Sequence, residues 1–232
     1  MGFFSKDGLD ISNKKCPYEG KETEAVTRAE KILRKKTVYK NELDRIMPAE
    51  KSNALWKKTE EKLESVLTRY EDLPGGVQFH TDRIFPAAAF YLTVRETVGQ
   101  ERAFHILEDA AVRGCEGIGK RLRKIMKIPG MPGLFVAVWD PMTKKVFGSG
   151  NGFQNRFYPG KKGEYRMDIL SCPYHRFFTE LGCPELTRIF CENDERLYGN
   201  LPGLQFKRTG TLGKGAACCD FYIRETKRTR NK

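Results

Sequence analysis

Six residues just past the middle of the chain, Ile128-Pro-Gly-Met-Pro-Gly133, constrain its fold more than any other stretch. Proline removes an amide donor and glycine loosens the backbone, so a helix running into this segment is expected to stop there. The pattern differs on its two sides. Before it, apolar residues recur at helical spacing; after it, the chain breaks into short alternating or apolar runs separated by turn residues.

On the first side, residues 1–20 read as an irregular arm and helical patterning begins near Glu22. Pro48 suits the first turn of a helix reaching Tyr70, with Leu63, Val66, Leu67 and Tyr70 on one face. Leu73-Pro-Gly-Gly76 closes it. Pro86 reads as the opening of the next helix, Phe90, Tyr91, Val94 and Val98 as its stripe, and Gly99 as its stop. A helical pattern interrupted by three glycines continues from Gln100 to Lys127.

On the second side, Leu134–Trp139 reads as a strand, Asp140-Pro-Met-Thr as a turn and Lys144–Gly148 as a partner strand. Glu164–Leu170 is a further strand. Two short helices follow, each introduced by Cys-Pro, and strands Leu204–Arg208 and Ala216–Arg224 flank the loop Gly210–Gly215. The expected class is α+β, a helical N-terminal region packed on a small, mainly antiparallel sheet with short Cys-Pro-initiated helices. The expected organisation is an arm (1–20), a helical region (21–130), a cysteine-bearing α+β region (131–224) and a basic tail (225–232).

Composition narrows the function. The longest apolar run, Phe85–Val94, falls short of the about 20 residues a bilayer span needs. Met1–Ile11 lacks the pattern of a secretory leader. A cytoplasmic address with no membrane partner is therefore expected. The seven cysteines are odd in number and include the adjacent pair Cys218–Cys219, which fits a disulfide framework poorly. They read instead as buried thiols, nucleophiles or ligands. The net charge of +12 raises the question of nucleic acid. Yet most basic residues alternate with acids, only Arg224–Lys232 forms a basic run, and no nucleic-acid-binding signature appears. An anionic small molecule is the better partner; a homo-oligomer remains open. Gly114-Cys-Glu-Gly-Ile-Gly-Lys120 imitates a phosphate-binding loop, but Arg121 stands where a magnesium-binding hydroxyl belongs and a helical pattern precedes it.

The chemistry gathers in the last third. Cys172-Pro173 puts Cys172 at a helix N-cap, where the helix dipole and unpaired N–H groups favour a thiolate; the bland alternative is a buried thiol. Cys183-Pro184 repeats the arrangement. Cys191 and Asp194 share a helix face, which suits acid–base work or an ion site as well as an ordinary half-buried helix. If Leu204 and Phe206 face the core, Arg208 does too, as does Cys219 with Ala217, Phe221 and Ile223. A buried arginine needs an anion, either Asp194 or a substrate carboxylate. Asp220 falls on the opposite face.

The ordered set Cys172-Pro-Tyr, Leu181-Gly-Cys-Pro-Glu-Leu186, Cys191-Glu-Asn-Asp194, Phe206-Lys-Arg208, Thr211-Leu212, Gly215 and Cys219-Asp-Phe221 resembles the L-2-amino-thiazoline-4-carboxylic acid hydrolase family. The likeness is strongest over Arg166–Ile223, extends more weakly back to Phe85, and leaves residues 1–80 outside. It implies a hydrolase that opens a cyclic amidine with water. Cys172, Cys191, Asp194, Arg208, Gly215, Cys219 and Asp220 are the positions it carries over. The expected site has Cys172, Asp194 and Cys191 as catalytic groups, with Cys172 attacking as thiolate. Arg208, Cys219, Asp220 and Thr211 contact a carboxylate-bearing substrate, and no cofactor is needed. The alternatives are a zinc or iron site on Cys172, Cys191, Cys219 and His175, or a small-molecule sensor without turnover.

Overall fold

The computed structural model describes residues 26–226. The arm expected over residues 1–20, Cys16 and the tail from residue 227 onward lie outside them.

Five helices come first: α1 (Arg28–Leu33), α2 (Thr37–Ile46), α3 (Ala49–Arg69), α4 (Gly75–Val98) and α5 (Gln100–Met126). Thr27 caps α1 by accepting from the Glu30 amide. Pro48 immediately precedes α3, and Leu63, Val66 and Leu67 bury along the expected face. The helix expected to open at Pro86 starts eleven residues earlier at Gly75 and carries Pro86 in its interior. Its residues from Ile84 to Tyr91 are all buried, so packing on every side holds the turn that proline weakens. Gly99, at φ 83°, ends it as expected. α5 runs unbroken through Gly114, Gly117 and Gly119, so the phosphate-loop imitation is helix. Arg113 Nε meets the buried Glu42 carboxylate at 2.8 Å and ties α5 to α2.

The main departure from the sequence pattern lies just after the proline–glycine segment. Residues expected to form a hairpin form helix α6 (Met131–Val146). A short apolar run does not by itself separate strand from helix. As a helix it buries Val136, Trp139 and Thr143 at spacings of three and four, one stripe laid on the sheet. The Asp140-Pro141 turn signal lies inside this helix.

The sheet has order β1-β2-β4-β3 and is antiparallel throughout, with β1 (Gln154–Tyr158), β2 (Glu164–Ser171), β3 (Leu204–Lys207) and β4 (Cys219–Glu225). β1 has no counterpart among the expected strands. Register pairs Met167 with Phe221 and Ile169 with Cys219, so these side chains share the face turned toward α6. Between β2 and β3 lie α7 (Pro173–Glu180) and α8 (Leu186–Tyr198). Cys172 caps α7. Cys183 does not cap α8, whose first residue is Leu186; it is fully buried among the helices.

Two apolar cores result. One joins α1–α5 to Phe177, Phe178, Leu186 and Ile189; the other joins the inner face of the sheet to α6. α8 is the wall between them, giving Ile189 to the first and Cys191 and Tyr198 to the second. Among the described residues no helix is long and apolar enough to cross a membrane.

Candidate active site

The second core does not close. α4, α6, the inner sheet face and α8 stand around a cavity of about 430 Å³. This is a usual size for a small-ligand site. Gly76 sets the distance of α4 from the rest. A Cβ there would fall 2.3 Å from Asn151 Oδ1 and 2.5 Å from the Gly150 carbonyl oxygen. From α4 come Phe79, His80 and Arg83; from α6, Trp139, Met142 and Thr143. The sheet supplies Met167, Ile169, Cys219 and Phe221, and α8 supplies Phe190, Cys191, Asp194 and Tyr198. Cys172 and Tyr174 close the side toward α7. Another cleft, of about 490 Å³, opens where Gly130 and Pro132 meet Lys162, Arg224 and Glu225, and carries no thiol.

Four residues named from sequence therefore meet: Cys172, Cys191, Asp194 and Cys219. The α8 spacing achieves part of this, because positions 190, 191, 194 and 198 share one helical face. The rest follows from strand register, since Cys219 sits opposite Ile169 on the inner face.

The thiols differ. Burial pushes Cys172 up to about 12, outweighing the Tyr174 and His175 amides at the start of α7. Burial thus favours its neutral thiol, against the helix terminus that was expected to favour the anion. Cys191 is shifted down: the Cys219 thiol donates to it, burial opposes, and the Gly213 amide, the Arg208 charge and the Thr211 hydroxyl assist. Cys219 is correspondingly shifted up, first by that contact with Cys191 and then by burial. Within the pair these shifts favour the anion on Cys191 over Cys219. The Leu212 amide donates to Cys219 Sγ at 3.2 Å and pulls the other way. Gly213 packs directly on α8, where a Cβ would lie 3.0 Å from Thr187 Cγ2 and from the Arg188 nitrogen.

Asp194 keeps 35% of its side chain accessible beside the cavity it lines. Its carboxyl is nevertheless pushed up to about 7, by burial first, against the pull of Arg208 and with the help of the Cys191 charge. Arg208 donates from Nη1 to Asp194 Oδ2 at 3.0 Å and from Nη2 to the Cys191 carbonyl at 2.7 Å. Its side chain is 7% exposed and is not part of the cavity wall. Of the two partners considered for it, the structure supplies the Asp194 carboxyl.

The remaining named residues stand apart. Thr211 is buried, acts on Cys191 and is not part of the cavity wall. Asp220 lies on the outer face and receives the Thr209 amide at 2.9 Å, the Thr209 hydroxyl at 2.7 Å and the Gly210 amide at 2.7 Å. Burial raises its pKa, those donors lower it, and the donors win. It fastens the loop after β3 and is not part of the cavity wall. His175 also lies off the cavity. Among the described residues no group of three or more His, Cys, Asp or Glu side chains is placed to hold a metal ion, so Cys172, Cys191, Cys219 and His175 do not assemble into a zinc or iron site.

Sequence reasoning missed His80, Arg83 and Trp139. His80 Nε2 lies 2.9 Å from the Val146 carbonyl, which only accepts, so Nε2 carries the proton and Nδ1 is an acceptor. That Nδ1 and Trp139 Nε1 are buried without a partner. Burial holds His80 below the usual imidazole range, against the Val146 bond.

The fold is α+β, and its cavity brings three thiols and one carboxyl together. The family model of L-2-amino-thiazoline-4-carboxylic acid hydrolase matches residues 79–223, more than half of the chain, and the chain belongs to that family, which is named for a hydrolase. No curated protein and no solved structure matches the chain. The match begins at Phe79, ahead of the Phe85 limit expected from the motifs, and takes in His80 and Arg83.

Proposed function

We propose that the chain is a hydrolase opening a small cyclic amidine, or a related ring closed by C–N and C–S bonds, with Cys191 as nucleophile. Support comes from one pairing on α8: a thiol favoured as its anion and, one turn along, a carboxyl favoured as its acid up to about pH 7, both on the same cavity. Addition to an amidinium carbon needs these two groups. The family's name supplies the ring class, a 2-amino-thiazoline-4-carboxylate-like substrate.

Cys191 Sγ bonds to the ring carbon, and the C=N electron pair moves onto nitrogen. The exocyclic nitrogen then re-forms its double bond to that carbon. The ring C–S or C–N bond breaks, and the departing heteroatom takes the Asp194 proton. Water adds to the carbon still bound to sulfur and returns a proton to Asp194. Sγ leaves as thiolate, the product keeps a carbonyl, and one proton passes to solvent. Cys219 and Thr211 stabilise the sulfur anion at the start and end of the cycle. Arg208 positions Asp194 and the α8 backbone.

The test is turnover of 2-amino-thiazoline-4-carboxylate and a panel of cyclic amidines, followed by mass spectrometry. Cys191→Ala is expected to lower the rate by roughly a thousandfold or more, as loss of a covalent nucleophile does. Turnover by Cys191→Ala near the unaltered rate, or no ring opening by the unaltered chain, defeats the reading.

A further inference from the structure

Among the described residues, Arg83 is the sole Lys or Arg lining the cavity. Among the described residues no Asp or Glu lies within ion-pair distance of its guanidinium, Asp82 beside it included. Two contacts hold the group at the rim: Nη1 donates to the Phe79 carbonyl at 3.0 Å, and the guanidinium carbon lies 4.5 Å from the centre of the Phe79 ring. Both come from one turn earlier on α4, so they fix the direction of the side chain and leave further N–H donors open to a ligand.

Arg208 presents the opposite case. It donates to the Asp194 carboxyl and the Cys191 carbonyl and lies behind the wall. The arginine that sequence reasoning assigned to a substrate carboxylate is therefore held by the protein, and the arginine on the cavity has no carboxyl partner among the described residues. Two unpartnered polar atoms lie in residues of the same wall. His80 Nδ1, an acceptor, and Trp139 Nε1, a donor, are buried without partners in residues that line the same space. The rest of the wall is largely aromatic, with Phe147, Phe153 and Tyr174 packed around His80.

We propose that this cavity binds a flat heterocyclic acid, with the ring among the aromatic side chains and the carboxylate on Arg83. Arg83 thereby determines the preference for acids over their neutral analogues. Arginine suits this role because two parallel N–H donors match the two carboxylate oxygens. The choice of an acid rests on the hydrolase reading; the test does not.

The probes are 2-aminothiazole-4-carboxylate and 2-aminothiazole-4-carboxamide. Their aromatic ring resists opening, so binding to the unaltered full chain is measured by titration calorimetry without chemistry intervening. The carboxylate is expected to bind about tenfold more tightly than the carboxamide, as a single charge-assisted contact provides. Arg83→Gln is expected to bring the two within about twofold with carboxamide binding unchanged, and Arg83→Lys to restore part of the difference. Arg69→Gln, an exposed arginine away from the cavity, controls for net charge and is expected to leave the difference intact. Equal affinities in the unaltered chain, binding of neither probe, or a difference that survives Arg83→Gln overturns the proposal. A difference that follows Arg83 in a chain that opens no cyclic amidine keeps this site and removes the hydrolase reading. Ring opening with a difference indifferent to Arg83 does the reverse.

Discussion

The two cores flanking α8 use the same kinds of side chain to opposite ends. In the helical core, Phe85 and Phe177 pack edge to face at 5.3 Å, Tyr39 stacks on Phe90 at 5.0 Å, and Cys183 is sealed among them. Against the sheet, Trp139, Phe147, Phe153 and Tyr198 make similar ring contacts but leave a void of about 430 Å³. The difference lies in the polar groups each core must accommodate. Cys183 has no hydrogen-bonding neighbour to favour its anion, and burial pushes it up to about 12. The sheet side contains Cys191, Cys219, Asp194 and Arg208, which need one another and cannot collapse onto an oily surface without losing hydrogen bonds. A closed core stabilises the fold; an open one keeps charge available to a ligand.

Truncating one ring on each side should expose that division. Phe177→Ala removes a fully buried ring and is expected to cost about 3–5 kcal/mol in urea unfolding. Phe153→Ala is expected to cost less, because its ring already has empty space on one side and loses fewer contacts. It should also weaken ligand binding, which Phe177→Ala should leave alone at temperatures where the variant is folded. Equal costs would mean that the cavity closes in solution.

Asp220 tests whether the outer face of the sheet belongs to the site. Its hydrogen bonds to Thr209 and Gly210 predict a loss of about 1.5–3 kcal/mol for Asp220→Ala, with little change in binding. Its pKa lies below the unfolded value. Its stabilisation is therefore present above the unfolded value of about 4 and fades as pH falls through the folded one. The Asp220→Ala penalty, read by denaturation at several pH values, should shrink accordingly in acid.

Much of this was legible in the chain and some was not, for identifiable reasons. Pro48 and the Leu63–Leu67 stripe announce α3, Gly99 announces the end of α4, and Cys172-Pro173 announces α7, because each depends on local backbone chemistry. Cys191 and Asp194 follow from helical spacing, and the inward turn of Cys219 from strand alternation. Helix α6 was misread because Leu134–Trp139 is apolar on both faces, and Pro86 was misread because only tertiary burial holds a helix across it. Arg83, His80 and Trp139 reach the cavity from helices far away in sequence, and no local signal marks such a meeting.

The pH profile sharpens the contrast between sealed and open thiols. Turnover should rise with pH as Cys191 ionises, below the ordinary thiol range, and fall through about pH 7 as Asp194 loses its proton. Beyond each limb the expected change is about tenfold per pH unit. Asp194→Asn should abolish the alkaline fall along with most activity. A profile that instead climbs steadily to pH 9 would assign the chemistry to a thiol with an ordinary or raised pKa.

Cys172 provides the smallest effect and the finest discrimination, since it belongs to the cavity wall yet behaves like the sealed thiol. The N-terminus of α7 favours its anion by about 0.3–2 kcal/mol. Burial costs more, and the balance leaves Cys172 up at about 12. Cys172→Ala is therefore expected to change kcat by no more than about threefold, because a neutral thiol neither attacks nor transfers a proton. Iodoacetamide at pH 7 should mark Cys191 well before Cys172, as read by peptide mass spectrometry, and a bound heterocyclic acid should slow only the former. A loss on Cys172→Ala comparable to that of Cys191→Ala would mean that ligand binding reverses the order of the two thiols. The apparent inertness of Cys172 would then be a property of the empty cavity alone.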